Sequence, residues 1–459
     1  MQSKSPKFRV AICGGGVGGL ILACALSKCP DIQIDVYEAA SRFSEIGVGI
    51  GIWWRPWQIL RSLGLEDDLC QLLDSKPTDS IKPTLHYRKA DQPEGLGFFN
   101  MMCRGGLLTF HRAQFHNVLL KRLSPRCRTY LSKRLHYYTQ PLRSDDPVHL
   151  VFQDGSTATC DILIGADGLK SAVRASMLHE QARVAEYRGQ HAQAADLRTR
   201  IEPRWSGVLV YRMLVSAEKL RRLSPHHRVL TVPTMVSIIA FAFRRESQLF
   251  SAHIMAYPIS HGQFINIAAF DADYDQEGSI FTDPWIQERD SGEVTNSYND
   301  WEPEVKQLVG CIDKGKVNRW VVNVVKPLPT FAFARVALLG DAAHAMTPFT
   351  GAGAGQAIED AWILSALLSH PRTTLRNVAQ VLQIYSRVRL PLASQVAERS
   401  RRNGTHFSLY EPGNEITTAG LPELGQRIYQ NFEWAWNTDP GVDMRRAMEM
   451  LEAEVGGKL

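Results

Sequence analysis

The chain has 459 residues, of which 44% are hydrophobic and 22% charged, and its formal net charge is +5. These are ordinary globular values, so they exclude a disordered or fibrous chain, and the length predicts more than one packed unit. The densest basic cluster, residues 399–402, is short and lies in a helical pattern, which favours a solvated helix face over a nucleic-acid patch. No apolar run is long enough to span a membrane, no signal peptide precedes the first strand, and the eight cysteines form no C-x-x-C pair. We therefore expect a cytoplasmic protein with reduced cysteines and no metal site.

A glycine-rich turn follows the first predicted strand, residues 8–13. Gly14, Gly16 and Gly19 form a G-x-G-x-x-G pattern, followed by a helix of small residues and a second strand, residues 32–37. Glycines at these positions permit a tight turn and bring the backbone close to a pyrophosphate, which the helix N-terminus attracts. The pattern predicts a dinucleotide-binding βαβ unit rather than a glycine turn without a ligand.

An acidic residue ends the second strand of this unit. Glu38 lies nineteen residues after Gly19, where a carboxylate accepts hydrogen bonds from the ribose hydroxyls of an adenosine. Because a carboxylate disfavours a 2′-phosphate, the tightly held nucleotide is FAD or NAD rather than NADP.

A second strand-then-glycine segment occupies residues 161–174. An apolar strand ends in a turn that carries Asp167, and the helix that follows contains Ser171 and Arg174. Such turns, at the carboxyl ends of strands, are where open α/β sheets bind ligands.

A third segment of this form begins with the predicted strand 336–339. Asp341 follows and would offer its carboxylate to a sugar-alcohol hydroxyl, and the glycine run 351–355 would place backbone N–H groups against a ring or a phosphate. A glycine-rich loop without a ligand would not need all of these residues together.

The region between the second and third motifs has a different pattern. From about residue 205 to 270, apolar and polar residues alternate over strand lengths, which predicts an inserted antiparallel sheet. From about residue 355 the pattern is mostly helical, with breaks expected at Pro391 and at the turn 411–414. The predicted strands are residues 207–215, 228–239, 249–259 and 263–270.

The three motifs, in this order and spacing, resemble those of the single-component FAD-dependent aromatic hydroxylases. This is the p-hydroxybenzoate hydroxylase-like family, and in particular its salicylate hydroxylase-like branch, which includes fungal enzymes acting on phenols and benzoates. The resemblance covers roughly residues 7–400. It implies non-covalent FAD, a transient NADH or NADPH reductant, and O2, with a small aromatic substrate hydroxylated through a flavin C4a-hydroperoxide. It leaves open whether CO2 is also released, as it is by salicylate-like relatives.

The resemblance also implies a fold of the α/β class. We expect a Rossmann-like βαβ FAD-binding domain, an inserted antiparallel β-sheet substrate domain and a helical C-terminal region. The FAD-binding domain would comprise residues 1–75, 105–182 and 290–365, the substrate domain residues 76–104 and 183–289, and the helical region residues 366–459.

The cofactor-binding residues follow from the resemblance by position. They are Gly14, Gly16, Gly19, Glu38, Arg42, Gly51, Arg112, Asp167, Asp341, Gly353 and Ala354. Arg42 matches a residue near the adenosine half of FAD, and Arg112 one near the pyrophosphate and ribityl chain. Gly51 and Ala354 match positions against the flavin, Asp341 the acid on the ribityl chain, and Asp167 an acid linked to both FAD and the nicotinamide cofactor.

Two features of the sequence depart from the family pattern. Phe349 and Thr350 follow Pro348, where many relatives carry a polar residue or histidine, and this change bears on the flavin contacts or the substrate pocket. Three tryptophans follow the flavin-side glycine, and they either line an aromatic-binding pocket or pack the start of a helix. They are Trp53, Trp54 and Trp57.

The inserted sheet supplies the candidate catalytic residues. Arg212 lies in an apolar strand, so its guanidinium needs a partner. In similar hydroxylases an arginine at this place holds the phenolate of the substrate; the alternative is that Arg212 pairs with a carboxylate of the protein and has a structural role. His253 and Tyr257 share one face of a strand and resemble the substrate strand of hydroxynicotinate and salicylate-type hydroxylases, where such a pair would bind and deprotonate a phenol. If the substrate bears a carboxylate, Arg55 or Arg212 would hold it.

Three alternatives compete with this interpretation. A dehydrogenase that uses only NAD shares the first motif but does not explain the other two. A flavin halogenase or epoxidase shares the FAD chemistry, although the G-W-x-W-x-I-P element of halogenases is absent. A non-catalytic flavin-binding redox sensor, and a homo-oligomeric state, are compatible with the sequence.

Overall fold

A computed structural model of the chain describes residues 6–43, 49–140, 146–232, 234–236, 243–245, 248–410 and 416–455. The strands are β1 Phe8–Cys13, β2 Ile32–Tyr37, β3 Gly49–Ile52, β4 Ile81–Lys89, β5 Leu96–Arg104, β6 Leu108–His111, β7 Arg128–Tyr130, β8 Leu135–Thr139, β9 Val148–Phe152, β10 Thr157–Cys160, β11 Ile162–Gly165, β12 Arg204–Ser216, β13 Thr234–Val236, β14 Phe243–Arg245, β15 Gln248–Ile259, β16 Phe264–Ala272, β17 Ile286–Asp290, β18 Lys316–Val324, β19 Ala332–Phe333 and β20 Val336–Leu338. The α-helices are α1 Val17–Leu26, α2 Trp54–Ser62, α3 Glu66–Cys70, α4 Arg112–Lys121, α5 Ala172–Tyr187, α6 His191–Thr199, α7 Ala217–Leu223, α8 Ser291–Ser297, α9 Pro303–Gly310, α10 Asp341–His344, α11 Gly353–Ser369, α12 Val378–Phe407, α13 Leu421–Phe432, α14 Trp434–Asn437 and α15 Pro440–Val455. The 3-10 helices are η1 Arg228–Leu230, η2 Tyr274–Gln276, η3 Pro348–Thr350 and η4 Thr418–Gly420.

The first sheet carries the three glycine-containing turns. Within the described ranges it has six strands in the order β19-β20-β11-β1-β2-β7, parallel except for the β19–β20 pair. Strands β1, β2 and β11 are buried along almost their whole length, which is why each is a continuous apolar run in the sequence. Their carboxyl ends meet at one edge of the sheet, so the turns that follow β1, β11 and β20 open together. The predicted Rossmann-like unit is confirmed.

The second sheet is the predicted insertion, and it is larger than expected. Among the described residues it has nine strands, in the order β17-β18-β12-β16-β15-β13-β4-β5, with β14 paired to β15. The predicted strand 228–239 is wrong at its start, because Arg228–Leu230 is a 3-10 helix and β13 begins at Thr234; residues 237–239 lie outside the described ranges. The predicted domain division assigned residues 290–365 to the FAD-binding part. Strand β18, Lys316–Val324, falls in that range but pairs with β12, so it belongs to the second sheet.

The two faces of the second sheet have different neighbours. One face carries Tyr211, Met213 and Ile254 and is covered by the apolar side chains of α7, α8 and α9. Because directly paired residues project to the same side, Arg212 shares the other face with its partners, Ala268 of β16 and, across β16, Met255 of β15. His253 and Tyr257, two residues from Met255 in either direction, project to this same face.

The C-terminal region is helical, as predicted, but its first long helix is not interrupted where expected. Helix α12 continues for 30 residues with Pro391 inside it, so the predicted break there is wrong. The packing of α12 against α11, α13 and α15 outweighs the penalty of about 3 kcal/mol that an internal proline imposes. The predicted turn 411–414 lies outside the described residues. No helix in the described ranges is both long enough and apolar enough to cross a membrane.

Candidate active site

The close packing of β1, the turn after it and the first turn of α1 requires two residues without a side chain, one in the turn and one in α1. Gly14 has φ +111°, and a Cβ there would lie 2.1 Å from the carbonyl oxygen of Ala166, in the turn after β11. A Cβ at Gly19 would lie 2.1 Å from the Gly14 carbonyl oxygen. At Gly16, by contrast, a Cβ would meet nothing within 4 Å, and no side chain caps the helix that starts there. The start of α1 is therefore open to a ligand, and its N–H groups and dipole favour an anion.

A cleft of about 480 Å³ opens beside this turn, within the range of small-molecule sites, about 300–1,000 Å³. Glu38 lies on it and accepts hydrogen bonds from the backbone N–H groups of Gly15 (2.8 Å) and Ala40 (2.7 Å). Arg42 is exposed at its rim. The predicted cofactor residues that line the cleft are Gly14, Gly16, Glu38, Arg42 and Asp167.

Asp167 organises the turn after β11. Its carboxylate accepts hydrogen bonds from the Ser171 hydroxyl and from the backbone N–H groups of Ala172 (2.8 Å) and Val173 (3.2 Å), at the start of α5. Burial raises the pKa of Asp167 above its usual value, although these hydrogen bonds act in the opposite direction. The side chain thus has a local structural role as well as a position in the cleft.

An arginine of the second motif ties it to the third. Arg174 is 1% exposed, and its guanidinium donates hydrogen bonds to the carbonyl oxygens of Ala342 (2.9 Å) and Leu169 (2.6 Å). Ala342 lies in α10, directly after Asp341. The sequence placed Arg174 in the second motif but did not predict a role for it, because residue spacing does not indicate a contact between positions 168 residues apart.

The remaining predicted cofactor residues do not line this cleft. Asp341 is exposed at the first position of α10, and Gly353 and the half-buried Ala354 begin α11. Gly51 lies in β3, which pairs with β6, and Arg112 follows β6 as the first residue of α4.

Arg212 and Tyr257 lie close together on the face of the second sheet that is turned away from α7–α9. Burial lowers the pKa of Arg212, the neighbouring Tyr257 raises it, and Arg112 lowers it. The Arg212 guanidinium lies 5.7 Å from the centre of the Trp320 ring, and in the described part of the chain it forms no ion pair and donates no hydrogen bond. Burial raises the pKa of Tyr257 to about 12, although Arg212 counteracts this shift. The hydroxyl of Tyr257 lies next to β3, since a Cβ at Gly49 would be 2.4 Å from it.

His253 lies in an aromatic cluster. Its ring is fully buried, stacks on Phe270 at 4.5 Å between centroids, and contacts Phe349 (5.2 Å) and Phe407 (5.7 Å). Its Nδ1 lies 3.4 Å from the Ser408 hydroxyl, and within the described ranges its Nε2 has no hydrogen-bond partner. Burial lowers the pKa of His253 to about 3, so the ring is neutral at ordinary pH.

The tryptophans after β3 belong to the core. Trp53, Trp54 and Trp57 are at most 5% exposed. The Trp53 indole N–H donates to the Thr350 carbonyl (2.8 Å), and its ring packs on Phe432 and Trp436, each 5.5 Å away. Of the two interpretations of these residues, packing of a helix start is the one that the contacts support.

Arg55, the alternative candidate for a substrate carboxylate, is already bound within the protein. Its guanidinium donates two hydrogen bonds of 3.1 Å to Glu359, one of 2.7 Å to the Thr438 hydroxyl, and forms an ion pair with Asp443. The suggestion that Arg55 holds a substrate is therefore wrong.

The comparisons with known proteins agree with this geometry. Residues 308–400 match the model of an FAD binding domain. The chain is 41% identical to the FAD-dependent monooxygenase str9 of Strobilurus tenacellus over 97% of its own length and 98% of that protein, and 32% identical to a salicylate hydroxylase of Pseudomonas putida over 97% and 95%. It is 29% identical to 6-methylsalicylate 1-monooxygenase atA of Aspergillus terreus, over 97% and 93%. A solved structure of a salicylate hydroxylase substrate complex superimposes with a TM-score of 0.77 at 30% identity, covering 97% of this chain and 98% of that one.

We predict that Gly16→Ala weakens FAD binding while the protein stays folded. The added methyl group would occupy the space at the start of α1, and the dissociation constant should rise about tenfold or more, since tenfold corresponds to only 1.4 kcal/mol. Titration of apoprotein with FAD, followed by flavin fluorescence, measures the change. The matched control is Gly420→Ala, at the start of α13 and outside the cleft. Both variants replace a glycine by alanine at the N-cap of a helix, where glycine is preferred, so they should lose a similar amount of stability. Equal FAD affinity in the two variants would remove the cofactor role of Gly16.

We predict that His253 makes the folded state less stable in acid. The unfolded histidine binds a proton near pH 6.5 and the folded one near pH 3, so stability falls as pH drops through this window, by about 2 kcal/mol at pH 5. Urea unfolding at pH 7.5 and pH 5 should show this loss in the parent protein and less of it in His253→Gln. His149→Gln, at an exposed histidine, is the control and should behave like the parent. The same pH dependence in all three proteins would contradict a neutral buried His253.

Proposed function

Because the chain belongs to the FAD-dependent aromatic monooxygenases of the salicylate hydroxylase type, we propose that it hydroxylates an anionic phenol or hydroxybenzoate with NADH or NADPH and O2. FAD is its cofactor. The observation that carries the choice of substrate is Arg212, a half-buried cation on a largely apolar face with no carboxylate paired to it in the described part of the chain. A desolvated guanidinium without a partner attracts an anion.

The residues of the cleft suit an FAD that extends from Glu38 toward α11. The pyrophosphate would lie at the open start of α1 beside Gly16, and the adenosine ribose at Glu38, whose two oxygens retain lone pairs after accepting two backbone hydrogen bonds. The exposed Asp341 would hold the ribityl chain, and Gly353 and Ala354 would face the flavin ring. When bound and reduced by the nicotinamide cofactor, FAD would supply the two electrons that activate O2, so that one oxygen atom of O2 enters the substrate and the other leaves as water.

Arg212 and Tyr257 would bind the substrate as its phenolate. With a pKa near 12, the Tyr257 hydroxyl keeps its proton at neutral pH and donates it in a hydrogen bond. Arg212 adds a second hydrogen-bond donor and a positive charge, and the nearby Arg112 adds a second positive charge that also favours an anion. Holding the phenolate raises the electron density of the aromatic ring, which is the property that an electrophilic oxygen donor requires.

His253 would form a wall of the substrate site rather than act as its base. A group with a pKa near 3 removes a phenol proton poorly at neutral pH. Its contacts with Phe270, Phe349 and Phe407 instead exclude water from this end of the site. We therefore assign the electrostatic role to Arg212 and Tyr257.

The names of the relatives suggest a substrate class and a second product. Those with salicylate or 6-methylsalicylate in their names act on aromatic rings that carry a carboxylate next to a hydroxyl, and we propose such ortho-hydroxybenzoates as the first candidates here. If oxygen is added at the carbon that bears the carboxylate, CO2 leaves. No second nucleotide-binding fingerprint follows the first, so the nicotinamide cofactor would bind only transiently.

The test is substrate-stimulated oxidation of NADH and of NADPH across a panel of hydroxybenzoates and alkylated phenols. We expect at least one ortho-hydroxybenzoate to accelerate the oxidation and to give a hydroxylated product, with labelled CO2 collected from carboxyl-labelled substrate. Hydrogen peroxide, measured in parallel, reports the share of NADH or NADPH oxidation that reduces O2 without hydroxylating the substrate. If no aromatic acid or phenol in the panel stimulates oxidation, or if all the reducing equivalents appear as peroxide, the proposal fails.

We predict that Arg212→Ala and Tyr257→Phe each lower kcat/KM about 10- to 100-fold, as expected when a charge-assisted hydrogen bond to the reacting oxygen is lost. Bound FAD, measured from its visible absorbance, should stay at the parent level. The matched control is Tyr211→Phe, because Tyr211 neighbours Arg212 on β12 but faces α7–α9 and donates to Glu293 (3.2 Å). Normal turnover in both site variants would show that other residues bind the substrate.

A further inference from the structure

One buried carboxylate holds both ends of the turn that carries Asp341. Asp360 of α11 is fully buried, and its Oδ2 accepts hydrogen bonds from the Gly340 N–H (2.9 Å) and from Nε2 of His344 (2.6 Å). These two donors are the residue before α10 and its last residue. The position of Asp341, which lies between them, therefore depends on a side chain almost twenty residues further along the chain.

Arg389 of α12 makes the burial of this carboxylate possible. It is also fully buried and donates through Nε to Asp360 Oδ1 (2.7 Å), through Nη1 to Glu359 (2.9 Å) and through Nη2 to Gln356 (2.7 Å). Burial alone would raise the pKa of Asp360, but His344 and Arg389 lower it to about 2. Asp360 is therefore an anion throughout the working pH range, and the turn is bound to a charge rather than to a neutral acid.

The same network reaches the last helix of the chain. Glu359, held by Arg389, also accepts hydrogen bonds from Arg55 of α2, which in turn binds the Thr438 hydroxyl and pairs with Asp443 of α15. The Asp443 side chain is 15% exposed, whereas Arg55 and Glu359 are almost completely buried. A continuous path of charged contacts thus runs from α15 to the turn at Asp341.

We propose that Asp360 and Arg389 are positioning residues that hold the turn carrying Asp341 against FAD. We further propose that Thr438 and Asp443, through Arg55 and Glu359, couple the C-terminal helices to the position of this turn. If Asp443 loses its charge, Arg55 and Arg389 share Glu359 without the counter-charge from α15. Glu359 then shifts toward Arg55, and the hold of Arg389 on Asp360, and hence on Gly340 and His344, is loosened. The proposal rests on FAD lying against the Asp341 turn and not on the identity of the aromatic substrate.

The experiment uses the full chain and changes the network at its exposed end, because removal of Asp360 would leave Arg389 buried without its main partner and endanger folding. Asp443→Asn and Thr438→Val are compared with Asp439→Asn. Asp439 directly precedes the same helix and pairs with Arg445 at the surface, and an asparagine side-chain oxygen can still accept the hydrogen bond from the Gly441 N–H. Three quantities are measured: the melting temperature of the apoprotein, the FAD dissociation constant and the visible spectrum of bound flavin.

We expect Asp443→Asn to raise the FAD dissociation constant about tenfold, a common size for coupling between distant sites, and to shift the flavin absorbance bands. Thr438→Val should have a smaller effect in the same direction, Asp439→Asn none, and Asp443→Glu should restore the parent values. A lower apoprotein melting temperature in Asp443→Asn, with FAD affinity and spectrum unchanged, would mean that the network serves stability alone and would overturn the proposal. These readouts need no aromatic substrate, so they stand apart from a failure of the proposed hydroxylation.

Discussion

The close approach of two backbone turns is the constraint on which the rest of the site depends. The turn after β1 and the turn after β11 are joined by a hydrogen bond from the Ala166 N–H to the Cys13 carbonyl (2.7 Å), and only a residue without a side chain fits between them at Gly14. Arg174 then ties the second of these turns to α10 through Ala342. Three stretches that are spread over more than 300 residues of the chain are thereby brought into contact.

In the function that we propose, the second sheet supplies the substrate side of the site. Its residues alternate between an apolar face that packs under α7–α9 and a face that carries Arg212, Tyr257 and the aromatic cluster around His253. The burial of one face fixes the register, because a shift by one residue would move Arg212 into the apolar core. The position of the cation next to Tyr257 is therefore specified by hydrophobic packing on the opposite side of the sheet.

The sequence predicted what short-range patterns encode. The glycine turns, the buried parallel strands and the alternation of β12, β15 and β16 are local features, and each occurs where it was expected. The exceptions are also physical. Pro391 does not end α12, because tertiary packing compensates for its missing hydrogen bond, and the tryptophans after β3 pack on helices that carry no recognisable motif.

What the sequence did not reveal is the pairing of distant charges. Arg55 meets Glu359 across 304 residues, and Arg389 was not distinguishable from any other arginine in an amphipathic helix. Nor did spacing show that His253 is enclosed by Phe349 and Phe407, which come from different elements. Residue types narrowed the chemistry of the site, but only the assembled fold decides which titratable groups are surrounded by water, by rings or by opposite charges.

The strand orders have a consequence for how this protein is made. The chain leaves the first sheet for β4 and β5, returns for β7 and β11, leaves again for β12–β18, and returns for β19 and β20. Any fragment that stops before β18 therefore lacks strands of both sheets, and during synthesis neither sheet is complete until some 320 residues have emerged. Until then both sheets expose unpaired edges to the cell. Premature termination should accordingly produce material for chaperones and proteases rather than an isolated flavin-binding domain.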